Sequence, residues 1–170
     1  NFNPQSPNVS WVSDITYVKV NGKYSFVCVV MDLFSRKILS YNISDTIDTT
    51  LTLYAFDKAF EGRECPKNLL FHSDQGAQYT SYVFRSHLQE LNCKQSFSSP
   101  RCPYDNSVCE SFFHSLKREA LYRHVYDSTD ELVAVLEEYI QYYNEFRMHR
   151  TLNMKTPSQV ETEFFERICL

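Results

Sequence analysis

Apolar and polar residues alternate with a period of two over the first part of the chain. In "WVSDITYVKV", Trp11 to Val20, β-branched and aromatic residues interleave with polar ones, which predicts a strand. Asn21-Gly22 then supplies the dipeptide of a tight hairpin turn. "YSFVCVVMDLF" predicts a second, more deeply buried strand, and "SRKILSYNIS" a third. The period then lengthens: residues 45–63 carry a helical repeat expected to stop at Gly62. "PKNLLFHSD" reads as a short apolar strand, "TSYVFRSHLQELN" as a helix and "CKQSFS" as a short strand. "SPRCPYDNS", with two prolines, reads as a loop. Helices are expected at about 107–122 and 128–146. A last short helix should open with Thr156 as N-cap and Pro157 at its first position.

The order β-β-β-α-β-α-β-α-α predicts an α/β fold. Three antiparallel strands followed by crossover units imply a five-stranded mixed sheet flanked by helices. Neither an internal repeat nor a linker interrupts it, so residues 1–170 are expected to form a single domain.

Composition narrows the function classes. No run of eighteen apolar residues occurs, so no membrane span is expected, and the polar start "NFNPQSPNVSW" is not a signal peptide. The six cysteines form no CxxC pair and no zinc-spaced cluster, which predicts reduced, mostly buried thiols in a cytoplasmic protein. The formal net charge of -4 argues against a simple nucleic-acid coat but not against an acidic metal site. Charge is unevenly spread. Residues 127–145 hold six acids and no Lys or Arg, whereas residues 94–124 hold five Lys/Arg against three acids. The second segment is the better candidate for a polyanion.

Three carboxylates stand out. Asp14 shares a strand face with Val12, Thr16 and Val18, and an acid there is costly unless paired or metal-bound. Asp74 sits where a short apolar strand stops, beside Gly76, and sites gather at such strand ends in sheets with parallel strands. Glu110 lies in the opening turn of a helix whose stripe is Cys109, Phe112, Phe113, Leu116 and Ala120. Lys117, seven residues on, returns to nearly the same azimuth roughly 10 Å along the axis. Glu119 points to roughly the opposite side. Taken singly, each acid has a plain structural reading: a hydrogen-bonded strand Asp, a capping Asp, a solvated helix Glu. As a set, three carboxylates from two strands and a helix suit paired Mg²⁺ ions, which prefer oxygen and clamp the oxygens of a phosphoryl displacement. Asp32 is read as a turn or ion-pair residue outside the site, and His72 as a packed histidine. Arg147 and His149 are expected either to pair with the acidic helix or to touch DNA.

"WVSDITYV", "FHSDQGAQYTS" and "YDNSVCESFFHSLKRE" together resemble the catalytic core of bacterial insertion-sequence transposases, the branch whose core is similar to retroviral integrase. The family motif is Asp, Asp, Glu with thirty-five residues between the last two, and thirty-five lie between Asp74 and Glu110. A basic residue seven positions after the Glu is matched by Lys117. "MDLFSRKIL" resembles the middle of that core and "YYNEFRMHRTLNMKTP" its carboxyl-terminal signature. The resemblance runs from about Val9 to Glu163.

The resemblance implies an RNase H-like fold, with Asp14, Asp74 and Glu110 as catalytic metal ligands. It implies two Mg²⁺ ions per site, with Mn²⁺ as substitute, and DNA cleavage and strand transfer in a bacterial cytoplasm by a homo-oligomer. Lys117, Arg118, Arg101, Gln75 and Tyr79 are the candidate DNA contacts, with Tyr79 equally suited to the core. Two other readings stay open: a metal-dependent nuclease of the same fold, and an inactive DNA-binding module. Arg101 and Cys102 depart from the family pattern of Gly and a small or polar residue. A natural amino-terminal helix-turn-helix region is expected to be absent ahead of Asn1.

Overall fold

The computed structural model describes residues 4–98 and 107–168. Arg101 and Cys102 lie outside the described residues. Three strands open the fold: β1 (Ser10–Val20), β2 (Lys23–Asp32) and β3 (Ile38–Ser44). Asn21 and Gly22 both have positive φ, 43° and 77°, as a two-residue hairpin turn requires. Further on come α1 (Thr49–Gly62), β4 (Leu70–Ser73), α2 (Ala77–Thr80), α3 (Tyr82–Glu90), β5 (Lys94–Phe97), α4 (Ser107–Glu119), α5 (Thr129–Glu145) and α6 (Pro157–Ile168). The five strands form one sheet in the order β3-β2-β1-β4-β5. Pairing is antiparallel in β1–β2 and β2–β3, and parallel in β1–β4 and β4–β5. This is the mixed sheet expected from the order of elements.

Strand alternation divides the core in two. Trp11, Cys28, Val30 and Phe71 face α1 and α3, where Phe56, Phe60, Phe84 and Leu88 pack. Val12, Val27, Val29 and Met31 face the other way, onto Cys109, Phe112 and Leu116 of α4 and Leu132, Leu136 and Tyr139 of α5. Asp14 falls in the second set by its place in β1, so α4 is the helix that covers its face.

Local chemistry explains the element ends. Asp48 caps α1 by accepting from the Leu51 N–H at 3.0 Å. That helix does end at Gly62, but the left-handed residues that reverse the chain are Glu64 and Cys65, with φ of 57° and 55°. The helix expected over 80–92 is split, because Ser81 caps α3 by accepting from the Phe84 N–H at 3.2 Å and so closes α2 before it. The third strand begins at Ile38, later than its sequence promised. Asp32 Oδ1 accepts from the Phe34 N–H at 2.8 Å, and Arg36 takes φ 63°, so the residues before Ile38 form a turn. Asp32 is fully buried there, also accepting from the Asn8 N–H and the Trp11 indole. Thr156 and Gln159 cap α6 reciprocally, as placed from sequence, with N–H donations of 3.2 Å and 2.9 Å.

Candidate active site

β1 and β4 run parallel, with Val12 opposite His72. The pairing ends there, and Asp74 follows one residue past the end of β4, in the turn towards α2. Asp14 and Asp74 are both half-buried. Asp14 Oδ1 accepts from the Ile15 N–H at 2.8 Å, and Asp74 Oδ1 accepts from the Gly76 N–H at 2.9 Å. The second contact is the turn by which the chain leaves β4 for α2. Glu110 is exposed, in the first turn of α4.

Two buried thiols report on how these charges lie. Burial pushes Cys28 up to about 11, opposed by hydrogen bonds to Ser13 and Tyr79 and reinforced by the charges of Asp14 and Asp74. Burial likewise raises Cys109 well above the ordinary thiol range, and Asp14 and Glu110 add to it. Both cysteines stay protonated and inert.

Oxygen-only donors of this kind fit Mg²⁺ or Mn²⁺ in their chemistry. Their positions are looser: among the described residues no three His, Cys, Asp or Glu side chains stand close enough together to hold an ion. Asp14 stands within β1, Asp74 just past the end of the neighbouring β4, and Glu110 on the covering helix, without the three being drawn into a ligand cluster.

Lys117 is half-buried, with its ammonium 5.0 Å from the centroid of the Tyr17 ring. Arg118 is exposed, and so is Gln75, whose side-chain amide donates to the Ser98 carbonyl at 3.1 Å. Tyr79 corrects a sequence expectation. It is fully buried, its hydroxyl 2.7 Å from Ser13 Oγ, so it is a core residue and not a DNA contact. His72 is packed as expected, its ring nitrogens each 3.1 Å from a hydroxyl, of Ser96 and Ser98.

Glu119 is set apart from the site by its partners. It accepts from both Arg147 Nε and NH2, at 3.0 Å and 2.8 Å, and from the Tyr139 hydroxyl at 2.9 Å. Arg147 also donates to Ser115 of the same helix. Arg147 therefore takes its carboxylate from α4 and not from the acids of α5, whose Tyr143 ring it overlies at 5.8 Å. His149 is buried edge-on against Tyr143, and burial lowers its pKa. Asn144 of α5 makes two bonds to Ile38, accepting its N–H and donating to its carbonyl, both at 2.9 Å. The carboxyl-terminal signature thus clamps α4 and β3. Sequence reading missed this role because the partners lie 28 and 106 positions away.

The Arg147 hydrogen bonds hold the Glu119 carboxyl below its ordinary range. A depressed folded-state value means that the unfolded chain binds the proton first. The stabilisation is therefore complete above the ordinary carboxylate range and fades as pH falls through the depressed value. Replacing Glu119 with Gln is expected to lower the melting temperature at neutral pH and to flatten its fall in acid. An acid limb identical to that of the unmodified chain would show the pair to be idle.

Strand order, crossovers and helix cover define an RNase H-like fold of the integrase catalytic-core type. A chain of the simian T-cell lymphotropic virus intasome in complex with the PP2A regulatory subunit B56 gamma superposes with a TM-score of 0.80 at 21% identity, covering 94% of this chain and 56% of that one. The HTLV-2 integrase catalytic core domain solved with magnesium, in its trimeric form, gives 0.73 at 19%, covering 94% and 99%. At such identities the likeness is one of fold. Two family matches, both described as Integrase core domain, span residues 4–103 and 91–157. The chain belongs to the integrase core domain family. It is 34% identical over 163 residues to the transposase InsF for insertion sequence IS3A of Escherichia coli (strain K12), covering 95% of this chain and 57% of the relative. To the transposase for insertion sequence element IS904 of Lactococcus lactis subsp. lactis (strain IL1403) it is 36% identical over 162 residues, covering 94% and 64%. The chain thus spans about three fifths of these relatives' length.

Proposed function

We propose that this chain is the catalytic core of a bacterial insertion-sequence transposase, which cleaves DNA phosphodiesters and transfers element ends into target DNA in the cytoplasm. One observation carries the reading. Asp14 comes from β1, Asp74 from just past the end of the neighbouring β4, and Glu110 from α4, the helix that covers Asp14's face, with Lys117 one face-turn beyond Glu110. The order and spacing match the Asp, Asp, Glu pattern of the relatives' class.

Asp14, Asp74 and Glu110 would hold two Mg²⁺ ions, or Mn²⁺ in their place. When bound, such ions activate the attacking oxygen and stabilise the leaving one. The magnesium in the HTLV-2 integrase core supports this assignment, and the trimeric and dimeric forms of that core support a homo-oligomer. Every other part of the reaction is positioning and electrostatics. Lys117 neutralises a phosphate next along the strand. Arg118 and Gln75 offer exposed contacts to DNA, and Arg101, in the segment entering α4, is assigned a phosphate.

The test is an end-labelled oligonucleotide carrying the element's terminus, incubated with the chain and Mg²⁺. A joined product supports the transferase. Shortened product alone assigns a nuclease, and an inert chain that binds DNA assigns a binding module.

A second expectation needs no substrate. Drawing three carboxylates together costs repulsion that a bound cation offsets, and an ion that binds only the folded chain stabilises it. At one hundred times its dissociation constant an ion adds about 2.7 kcal/mol, roughly 5–10 °C for a chain of this size. Millimolar Mg²⁺ or Mn²⁺ should raise the melting temperature, and Asp74→Asn should remove most of the rise. An unchanged melt in the wild-type chain would remove the three-acid site.

A further inference from the structure

We propose that the cleft between the β1–β2 hairpin and the segment following α4 binds an unpaired nucleotide of a DNA strand, stacking its base on tyrosine and holding its phosphate on lysine. The cleft has a volume of about 330 Å³, and Tyr17, Lys19, Tyr24, Lys117, Tyr122 and His124 line it. That volume is at the small end of ligand sites, suited to a base and not to a length of duplex.

Its aromatic residues are out of place for a folding role. Tyr17 and Tyr24 are 58% and 57% exposed, and Tyr122 is 77% exposed in the short 3-10 turn after α4. Tyr17 and Tyr24 meet edge to face at 5.2 Å, and the Lys117 ammonium lies 5.0 Å from the Tyr17 ring centroid, so rings and lysine share one surface of the cleft. A hairpin pair accounts for those two rings; it does not account for Tyr122 beside them.

Charge identifies the occupant. The chain carries a formal net charge of -4, yet none of the described residues lining this cleft is acidic. Lys19 and Lys117 make no ion pair with a carboxylate among the described residues. Lysines free of carboxylates, interleaved with open phenol rings, are what a single strand requires: phosphates seek the ammonium groups and bases seek the rings. A base within a duplex is stacked on both faces and has none to offer, so the nucleotide must be unpaired.

Position ties the cleft to the acids. Tyr17 stands three residues beyond Asp14 on β1, about 10 Å along the strand, an odd step that turns it from Asp14's face, and Lys117 of α4 reaches its ring. Lys117 stands seven beyond Glu110 on α4, also about 10 Å. At the 3.4 Å rise per nucleotide of one DNA strand, the cleft receives the base about three positions from the reacting phosphate. This placement rests on the proposed transposase reading; the affinity for an unpaired nucleotide does not.

The experiment measures binding of the 170-residue chain to a labelled oligonucleotide in EDTA, as a single strand and as a blunt duplex of the same sequence. Tighter binding of the single strand is expected. Tyr122→Ala and Tyr17→Ala should each weaken it by at least about five-fold, while Tyr17→Phe leaves it unchanged. A 2-aminopurine about three positions from the cleaved end should be quenched by the wild-type chain and not by Tyr122→Ala. Equal affinities for all variants, or preference for the duplex, would overturn the proposal. So would loss of self-association by Tyr122→Ala with unaltered oligonucleotide binding, which assigns the cleft to a protein contact. Because EDTA removes the metal chemistry, a chain that binds as expected but never cleaves leaves the cleft standing and sinks only the transposase reading.

Discussion

Asp74→Asn is expected to lose metal-dependent DNA cleavage by at least about 10³-fold while its melting temperature in EDTA stays near that of the wild type. Ion ligation supplies several kcal/mol of transition-state stabilisation, and each 1.36 kcal/mol is tenfold in rate. The substitution is mild for the fold. Asp74 lies just past β4, half-buried, and its structural bond is the one from the Gly76 N–H at 2.9 Å. Asparagine keeps a carbonyl oxygen for that N–H, so the turn into α2 survives. What disappears is the negative charge and one hard oxygen, now an amide nitrogen that cannot ligate Mg²⁺. Cleavage of labelled DNA by the variant within tenfold of wild type would take Asp74 out of the site. Glu119→Gln is the matched control: it removes a glutamate from α4 that Arg147 and Tyr139 already occupy, and it should leave the metal-induced rise in melting temperature intact.

Phe112→Ala should produce the largest loss of stability, about 3–5 kcal/mol. Phe112 is 1% exposed on α4, edge to face with Tyr143 at 4.9 Å and tilted against Tyr139 at 6.3 Å. Deleting the ring removes its burial and leaves a cavity between α4 and α5 that neither rigid helix can close. Against the roughly 5–15 kcal/mol that holds most domains together, this is a large share, and melting should fall by roughly 10 °C. A fall under about 3 °C would mean that the interface relaxes around the gap. Activity measured well below the melting point is also expected to drop. The same helix positions Glu110 and Lys117, and a displacement of an ångström at a reacting centre costs about 10²-fold.

The elements legible in the residues were those with local causes. Period-two alternation marked β1 and β2, Asn21-Gly22 set the turn between them, and Thr156-Pro157 set the start of α6. Each depends on side chains within a few positions of one another, and propensity and capping act at that range. Where the reading slipped, a single hydrogen bond had redirected the backbone. Ser81 capping α3 cut one expected helix into two, and the turn closed by Asp32 delayed β3. Such bonds are hard to weigh without knowing what else each side chain can reach.

The site divides along the same line. The thirty-five-residue spacing from Asp74 to Glu110, and the seven-residue step to Lys117, are linear facts that the chain displays unaided. Helix and strand periodicity suffices to put Lys117 on the face of Glu110 and Asp14 on the face of Val12. Tyr79 and Arg147 could not be assigned in that way. A tyrosine on a short helix beside a candidate site reads equally well as contact or core, and its burial against Ser13, 66 positions away, comes from the crossing of α2 over β1. Arg147 could face solvent, DNA or an acid, and its choice of Glu119 follows from the packing of α5 on α4. The strand order brings the end of β4, and Asp74 just past it, to the strand that carries Asp14, because β4 pairs with the first strand and not the third. Local sequence therefore determined which side chains can do chemistry and on which face of their own element they stand. Burial and pairing across the whole chain decided which of them meet, because those energies depend on partners that proximity in sequence does not reveal.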